Sequence, residues 1–207
     1  MPLVLIAVVA LVAAGVVSLS GYLALRKWLK QPHRVAFIGR SDAGKSTLLH
    51  FLEHGEIPQS GLPPTTGQRS ERVTVGNLEV EVIDSGGDRL RDWVKGMDSA
   101  DTIVYFFDAA AVASCTPEAL SNLVADAGHM KALAGKAAPK KRFVIVGTHS
   151  DLFSNRKDDE KTVRKCQEVQ QFRAECGVDD GRVVIGSLAA NKDAAKLAGE
   201  LAKRVSR

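Results

Sequence analysis

From residue 34 to the C-terminus, short β-rich runs alternate with longer stretches of helical period. "RVAFIG" at 34–39, "ERVTV" at 71–75, "LEVEVID" at 78–84, "TIVYFFD" at 102–108, "RFVIVGT" at 142–148 and "RVVIG" at 182–186 read as six strands. Only Gly76 and Asn77 separate the second run from the third, which predicts an antiparallel hairpin. The remaining strands are joined through helices expected over 45–53, 90–99, 117–134, 156–176 and 191–206. In the last helix Ala194, Leu197, Ala198, Leu201 and Val205 form one apolar stripe opposite Lys192, Lys196, Glu200 and Lys203, so packing on the sheet is the expected role and a basic membrane-lying helix the alternative. The expected class is therefore α/β, with a six-stranded, mostly parallel sheet and flanking helices.

The apolar pattern at the front of the chain differs in kind. Residues 2 to 25 carry no charge and are long enough to cross the roughly 30 Å hydrocarbon core as one helix. Tyr22 and Trp28 suit an interface, and Arg26, Lys27, Lys30 and Arg34 follow at once, which places the positive flank and the body on the cytoplasmic side. A cleaved signal peptide would carry basic residues before a shorter apolar stretch, so an uncleaved single span is the expectation. Residues 1–30 are read as anchor and basic juxtamembrane segment, and residues 31–207 as one domain.

Composition refines this only slightly. The formal charge is +4 over 207 residues, and acidic residues are interspersed with basic ones, so no nucleic-acid partner is implied. Cys115, Cys166 and Cys176 show no C-x-x-C spacing, which argues against zinc or a disulfide framework and suits a reducing cytosol.

The informative chemistry lies in "GRSDAGKST". Gly39, Gly44, Lys45 and Ser46 spell G-x-x-x-x-G-K-S between a strand and a helix, the pattern of a phosphate loop and of a P-loop NTPase fold. The glycines let successive backbone N–H groups of the Gly39–Thr47 stretch, Asp42 and Ala43 included, turn toward phosphate oxygens. Lys45 would reach the terminal phosphates and Ser46 would place a hydroxyl on magnesium. Asp84 ends an apolar strand where a second carboxylate helps to hold that ion. In "DSGGD", Gly87 can offer a backbone N–H to a γ-phosphate.

With "GRSDAGKS", "PTTG", "DSGGD" and "THSD" in this order, the chain resembles the small P-loop GTPases and, within them, the ADP-ribosylation-factor-like branch. The resemblance covers about residues 34 to 207. It implies GTP or GDP and Mg²⁺ as cofactors, with Thr65 of "PPTTGQ" as the switch threonine on magnesium and Ser46 and Asp84 as its companions. A membrane span in front of such a domain is similar to the β subunit of the signal-recognition-particle receptor. Departures also carry meaning. The guanine-reading N-K-x-D is replaced by Thr148, His149, Ser150 and Asp151, which keeps the carboxylate that accepts from guanine's N–H groups but predicts a weaker hold on the base. "GSLAAN" is similar to the family's S-A-K loop, with Ser187 matching and Leu188 departing. Where the family places a glutamine to orient the attacking water, this chain has Asp88, whose charge opposes an anionic γ-phosphate and predicts slow turnover. Lys45, Thr65, Gly87 and Asp88 are the expected catalytic set, and Arg89 and Arg91 are nearby cations on a switch helix.

The expected function is a membrane-anchored GTP-dependent switch that hydrolyses GTP slowly and recruits a cytoplasmic effector or partner subunit, with an activating protein as a further partner. The alternatives are an inactive GTP-binding scaffold or membrane receptor subunit, and a P-loop ATPase, which Asp151 disfavours. Outside this site, His50 and His54 at i and i+4 share a helix face with no third metal ligand evident in the sequence.

Overall fold

In the strand His33–Gly39 (β1), Val35 and Phe37 join one buried apolar cluster while Ala36 and Ile38 join another, the two-residue alternation of a strand covered on both faces. The same division recurs in Thr102–Asp108 (β4), where Val104 and Phe106 oppose Ile103, Tyr105 and Phe107, and in Arg142–Thr148 (β5). This computed structural model describes residues 33–59, 62, 68–75, 78–85, 90–134 and 141–205. The expected span at 2–25, most of the basic segment behind it, and Thr65, Gly87, Asp88 and Arg89 lie outside the described residues.

Six strands form one mixed sheet in the order β2-β3-β1-β4-β5-β6, with Gln68–Val75 (β2), Leu78–Ser85 (β3) and Val183–Ile185 (β6) completing it. The hairpin of β2 and β3 is antiparallel and every other pairing is parallel. Helices α1 (Lys45–His54) and α7 (Asn191–Val205) cover one face through Leu48, Leu49, Leu197, Leu201 and Val205. The other face is covered by α2 (Leu90–Ser99), α4 (Pro117–Ala134) and the pair α5 (Arg156–Lys165) and α6 (Gln167–Cys176), through Trp93, Met97, Met130, Val163 and Phe172 among others. Among the described residues no helix is long and apolar enough to cross a membrane.

Three local outcomes differ from the sequence reading. β2 begins at Gln68 rather than 71, because pairing with β3 extends its ladder to Ser85. The helix expected over 156–176 is broken at Cys166, whose extended ψ of 130° ends α5 and starts α6. Val163, Val169 and Phe172 are all buried, yet residues six apart point about 120° away from each other on a continuous helix; the break brings them into phase. A short helix not foreseen, α3 (Ala109–Ala113), starts where the Asp108 carboxylate accepts from the Ala111 N–H at 3.0 Å, an ordinary N-cap.

Candidate nucleotide site

β1 delivers the chain into the loop at Gly39, where backbone and neighbour leave no room for a side chain. Its φ is +145°, and a Cβ there would lie 2.3 Å from the Phe106 carbonyl oxygen. At the other end Gly44, with φ +83°, is the left-handed residue from which α1 springs, and a Cβ on it would meet Leu188 at 2.7 Å. Asp42 between them is also left-handed and exposed. The loop thus curls at the C-terminal edge of the parallel strands, aimed at the positive end of α1.

Lys45 is only 5% exposed, and its ammonium donates to the Arg40 carbonyl at 2.7 Å across the curl. One residue on, the Ser46 hydroxyl donates to Asp84 Oδ2 at 2.8 Å. Asp84, 1% exposed at the end of β3, is carried there by the parallel pairing of Phe37 with Asp84. A serine hydroxyl and a carboxylate in contact are hard oxygen donors of the type that magnesium takes, so these residues fit that ion. Thr47 is half-buried behind them.

Arg40 has a structural assignment that its position in the sequence does not suggest. Its guanidinium grips the Asp126 carboxylate of α4 with contacts of 2.6, 3.1 and 3.2 Å and lies 6.0 Å from the Trp93 ring of α2. Asp126 also accepts from the Tyr105 hydroxyl at 2.7 Å. Burial, and then the Asp126 charge, push the Tyr105 phenol well above its ordinary pKa, so it remains a donor. The loop is thereby tied to β4 and to two helices.

The base-reading candidates assemble at the ends of β5 and β6. Gly186 donates to the Gly147 carbonyl at 2.9 Å and Ser150 N–H to the Gly186 carbonyl at 3.2 Å, which brings the two strand ends together. Ser187 can then donate to Asp151 Oδ1 at 2.7 Å while accepting from the Ala189 N–H at 3.0 Å. Asp151 itself is exposed at the edge of this seat. Thr148, fully buried, has its hydroxyl 3.1 Å from both the Ala43 and the Phe107 carbonyls, so it braces the phosphate loop. His149 is left-handed, with Nδ1 at 3.1 Å from the Thr148 hydroxyl and 3.7 Å from Asp108. Leu188 packs over Gly44 rather than offering a polar group. Arg91 is exposed on α2.

The curled loop after β1, the Ser46–Asp84 pair and the Asp151 carboxylate held by Ser187 are thus brought to one edge of the sheet, and the chain matches the ADP-ribosylation factor family over residues 19–190. The chain belongs to that family. It is 37% identical over 78 residues to an ADP-ribosylation factor of Encephalitozoon cuniculi (strain GB-M1), covering 37% of each chain. It is 34% identical over 84 residues to the small COPII coat GTPase SAR1 of Nicotiana tabacum, covering 40% of this chain and 41% of that one. The matches thus span well under half of these relatives' lengths. In fold, this Arf-family chain is similar to a chain of the mammalian SRP receptor structure, with a TM-score of 0.60 at 18% identity over 83% of this chain and 99% of that one. The Arg40–Asp126 grip is what sequence reasoning missed in the site. Its partners are 86 residues apart, and the only local signal was an arginine inside a phosphate loop.

Proposed function

We propose that this Arf-family chain is a membrane-anchored GTP-binding switch that hydrolyses GTP slowly and engages a protein partner at the cytoplasmic membrane face. The observation that carries the guanine assignment is the Asp151 carboxylate fixed by Ser187 at 2.7 Å, beside a loop shaped for phosphates. A carboxylate so oriented accepts from a purine's ring N–H and amino group together, which guanine offers and adenine does not. Thr148 performs the bracing part of the missing asparagine's work, on the Ala43 carbonyl, while its hydroxyl lacks an amide's reach toward the base.

In this reading Lys45 brings positive charge to the β- and γ-phosphates, and the loop's backbone N–H groups with the α1 N-terminus take the remaining phosphate charge. Ser46 would ligate magnesium directly and Asp84 would support it, with Thr65 joining when the γ-phosphate is present; bound there, the ion neutralises charge on the phosphates. Asp88 in place of a glutamine supports slow turnover, since its carboxylate opposes the developing charge. The uncharged stretch at 2–25 with its basic flank supports the single anchor.

Competition binding tests the base assignment. Native protein should prefer GTP over ATP strongly, and Asp151→Asn should lose about tenfold or more in GTP affinity, as expected for a charge-assisted pair removed from a polar seat. Equal affinity for the two nucleotides in the native chain refutes the assignment. The replaced N-K motif favours a second reading, a GTP-holding scaffold without turnover, and a single-turnover assay with saturating GTP separates the two.

A further inference from the structure

At the far end of α1, three side chains with no part in the nucleotide site converge. Each of His50, Glu53 and His54 offers a ligand atom, and these atoms all lie within 4.8 Å of one another. The His50 and His54 rings are stacked, with centroids 4.2 Å apart and planes inclined by 26°. His54 Nδ1 is 3.1 Å from the His50 carbonyl oxygen. His54 Nδ1 also lies 3.7 Å from Glu53 Oε2, so either ring nitrogen can serve: Nδ1 beside the carboxylate, or Nε2, which keeps its lone pair when Nδ1–H donates to the His50 carbonyl. Glu53 is oriented too: Arg69 of β2 donates to its two oxygens at 3.1 and 3.2 Å. Four-coordinate zinc places its ligands about 3.3 Å apart, given bonds of about 2.0–2.1 Å, so binding requires the stacked rings to turn until their in-plane lone pairs converge, a motion open to these half-buried and exposed side chains.

We propose that His50, Glu53 and His54 form a transition-metal site of the zinc class on α1, separate from the oxygen donors Ser46 and Asp84. Two imidazoles and one carboxylate select zinc and its neighbours over magnesium, which takes oxygen. The helix supplies the spacing, since residues three and four apart share a face. Three protein ligands leave the fourth position to water. The Arg69 charge lowers affinity relative to a bare carboxylate while fixing the carboxylate in place. Because Glu53 would serve metal and Arg69 together, occupancy would tighten the link between the end of α1 and β2.

The test is zinc titration of the full chain by calorimetry in excess Mg²⁺, with cobalt spectra as a second readout. One Zn²⁺ should bind per chain, and Co²⁺ should give the visible bands of a four-coordinate site. His54→Ala, an exposed and structurally mild change, and His50→Ala should each weaken Zn²⁺ binding by about tenfold or more, and Glu53→Gln by less. The double variant His50→Ala/His54→Ala should lose the cobalt bands while keeping its circular-dichroism melting curve, and Cys115→Ser should change nothing. No binding by the native chain, undiminished binding by His54→Ala and the double variant, or loss of binding on Cys115→Ser overturns the proposal. Each of these outcomes is independent of which nucleotide the chain holds.

Discussion

Gly39 shows how much of the site rests on single positions. Its φ of +145° and the 2.3 Å approach to the Phe106 carbonyl leave backbone against backbone, with no flexible side chain to yield. Gly39→Ala should therefore destabilise the fold by about 3 kcal/mol or more and abolish nucleotide binding, as read by denaturant melts and by nucleotide content. Gly199 inside α7 is the contrasting case: a Cβ there meets nothing within 4 Å, so Gly199→Ala should stabilise by up to about 1 kcal/mol through helix propensity. His33 gives a pH-dependent effect. Burial lowers its pKa most, opposed by Asp101 and reinforced by Arg142. The folded imidazole thus stays neutral where the unfolded one protonates, the unfolded state binds more protons, and this contribution is complete above the unfolded pKa and lost as pH falls through and below it. Melting temperature should fall between about pH 7.5 and 5.5, and less so in His33→Gln. Burial also pushes the Cys176 thiol up to about 12, so alkylation of the folded chain should mark exposed Cys115 and spare Cys176, as peptide mass mapping would show.

The phosphate loop and α4 are joined by a pair whose two members should respond unequally to removal. The Asp126 side chain is fully buried, while that of Arg40 is 41% exposed. Arg40→Ala strands a buried carboxylate with only the Tyr105 hydroxyl and should cost about 2–4 kcal/mol, discounted for the arginine's contact with water. Asp126→Asn preserves an acceptor for Tyr105 and leaves an arginine that solvent can reach, so it should cost less, and adding it to Arg40→Ala should recover part of the loss in a double-mutant cycle by urea melts. No spacing rule connects residues 40 and 126, so this pair was invisible in sequence, whereas the strands were legible from their runs and turns. The two-residue Gly76-Asn77 spacing foretold the hairpin, and Gly44-Lys45-Ser46 foretold the start of α1. The Cys166 break was not legible from propensity, because nothing at 165–167 is a helix breaker; only the burial of Val163 with Val169 and Phe172 reveals it. α3 did have a signal, Asp108 before an alanine run, but at five residues it lies below the length at which periodicity can be read.

Across the whole molecule, the sheet order puts β1 between β3 and β4, so the loop after β1 meets Asp84 from one neighbour and the Phe106 carbonyl from the other. The Asp151–Ser187 pair, the candidate base seat, sits at the ends of β5 and β6, further along the same edge. A single-turnover assay of the full chain should show hydrolysis far below one turnover per minute without a partner, and Asp88→Gln should accelerate it if the carboxylate is what slows the reaction. An unchanged rate in Asp88→Gln would move the cause elsewhere.

The zipper between Gly147 and Gly186 has a consequence for synthesis. A ribosome emits Ser46 well over a hundred residues before Ser187, an interval on the order of ten seconds at ordinary elongation rates. Until the last parallel strand docks, Asp151 lacks the Ser187 hydroxyl that orients it, so a seat for a purine can form only late in synthesis.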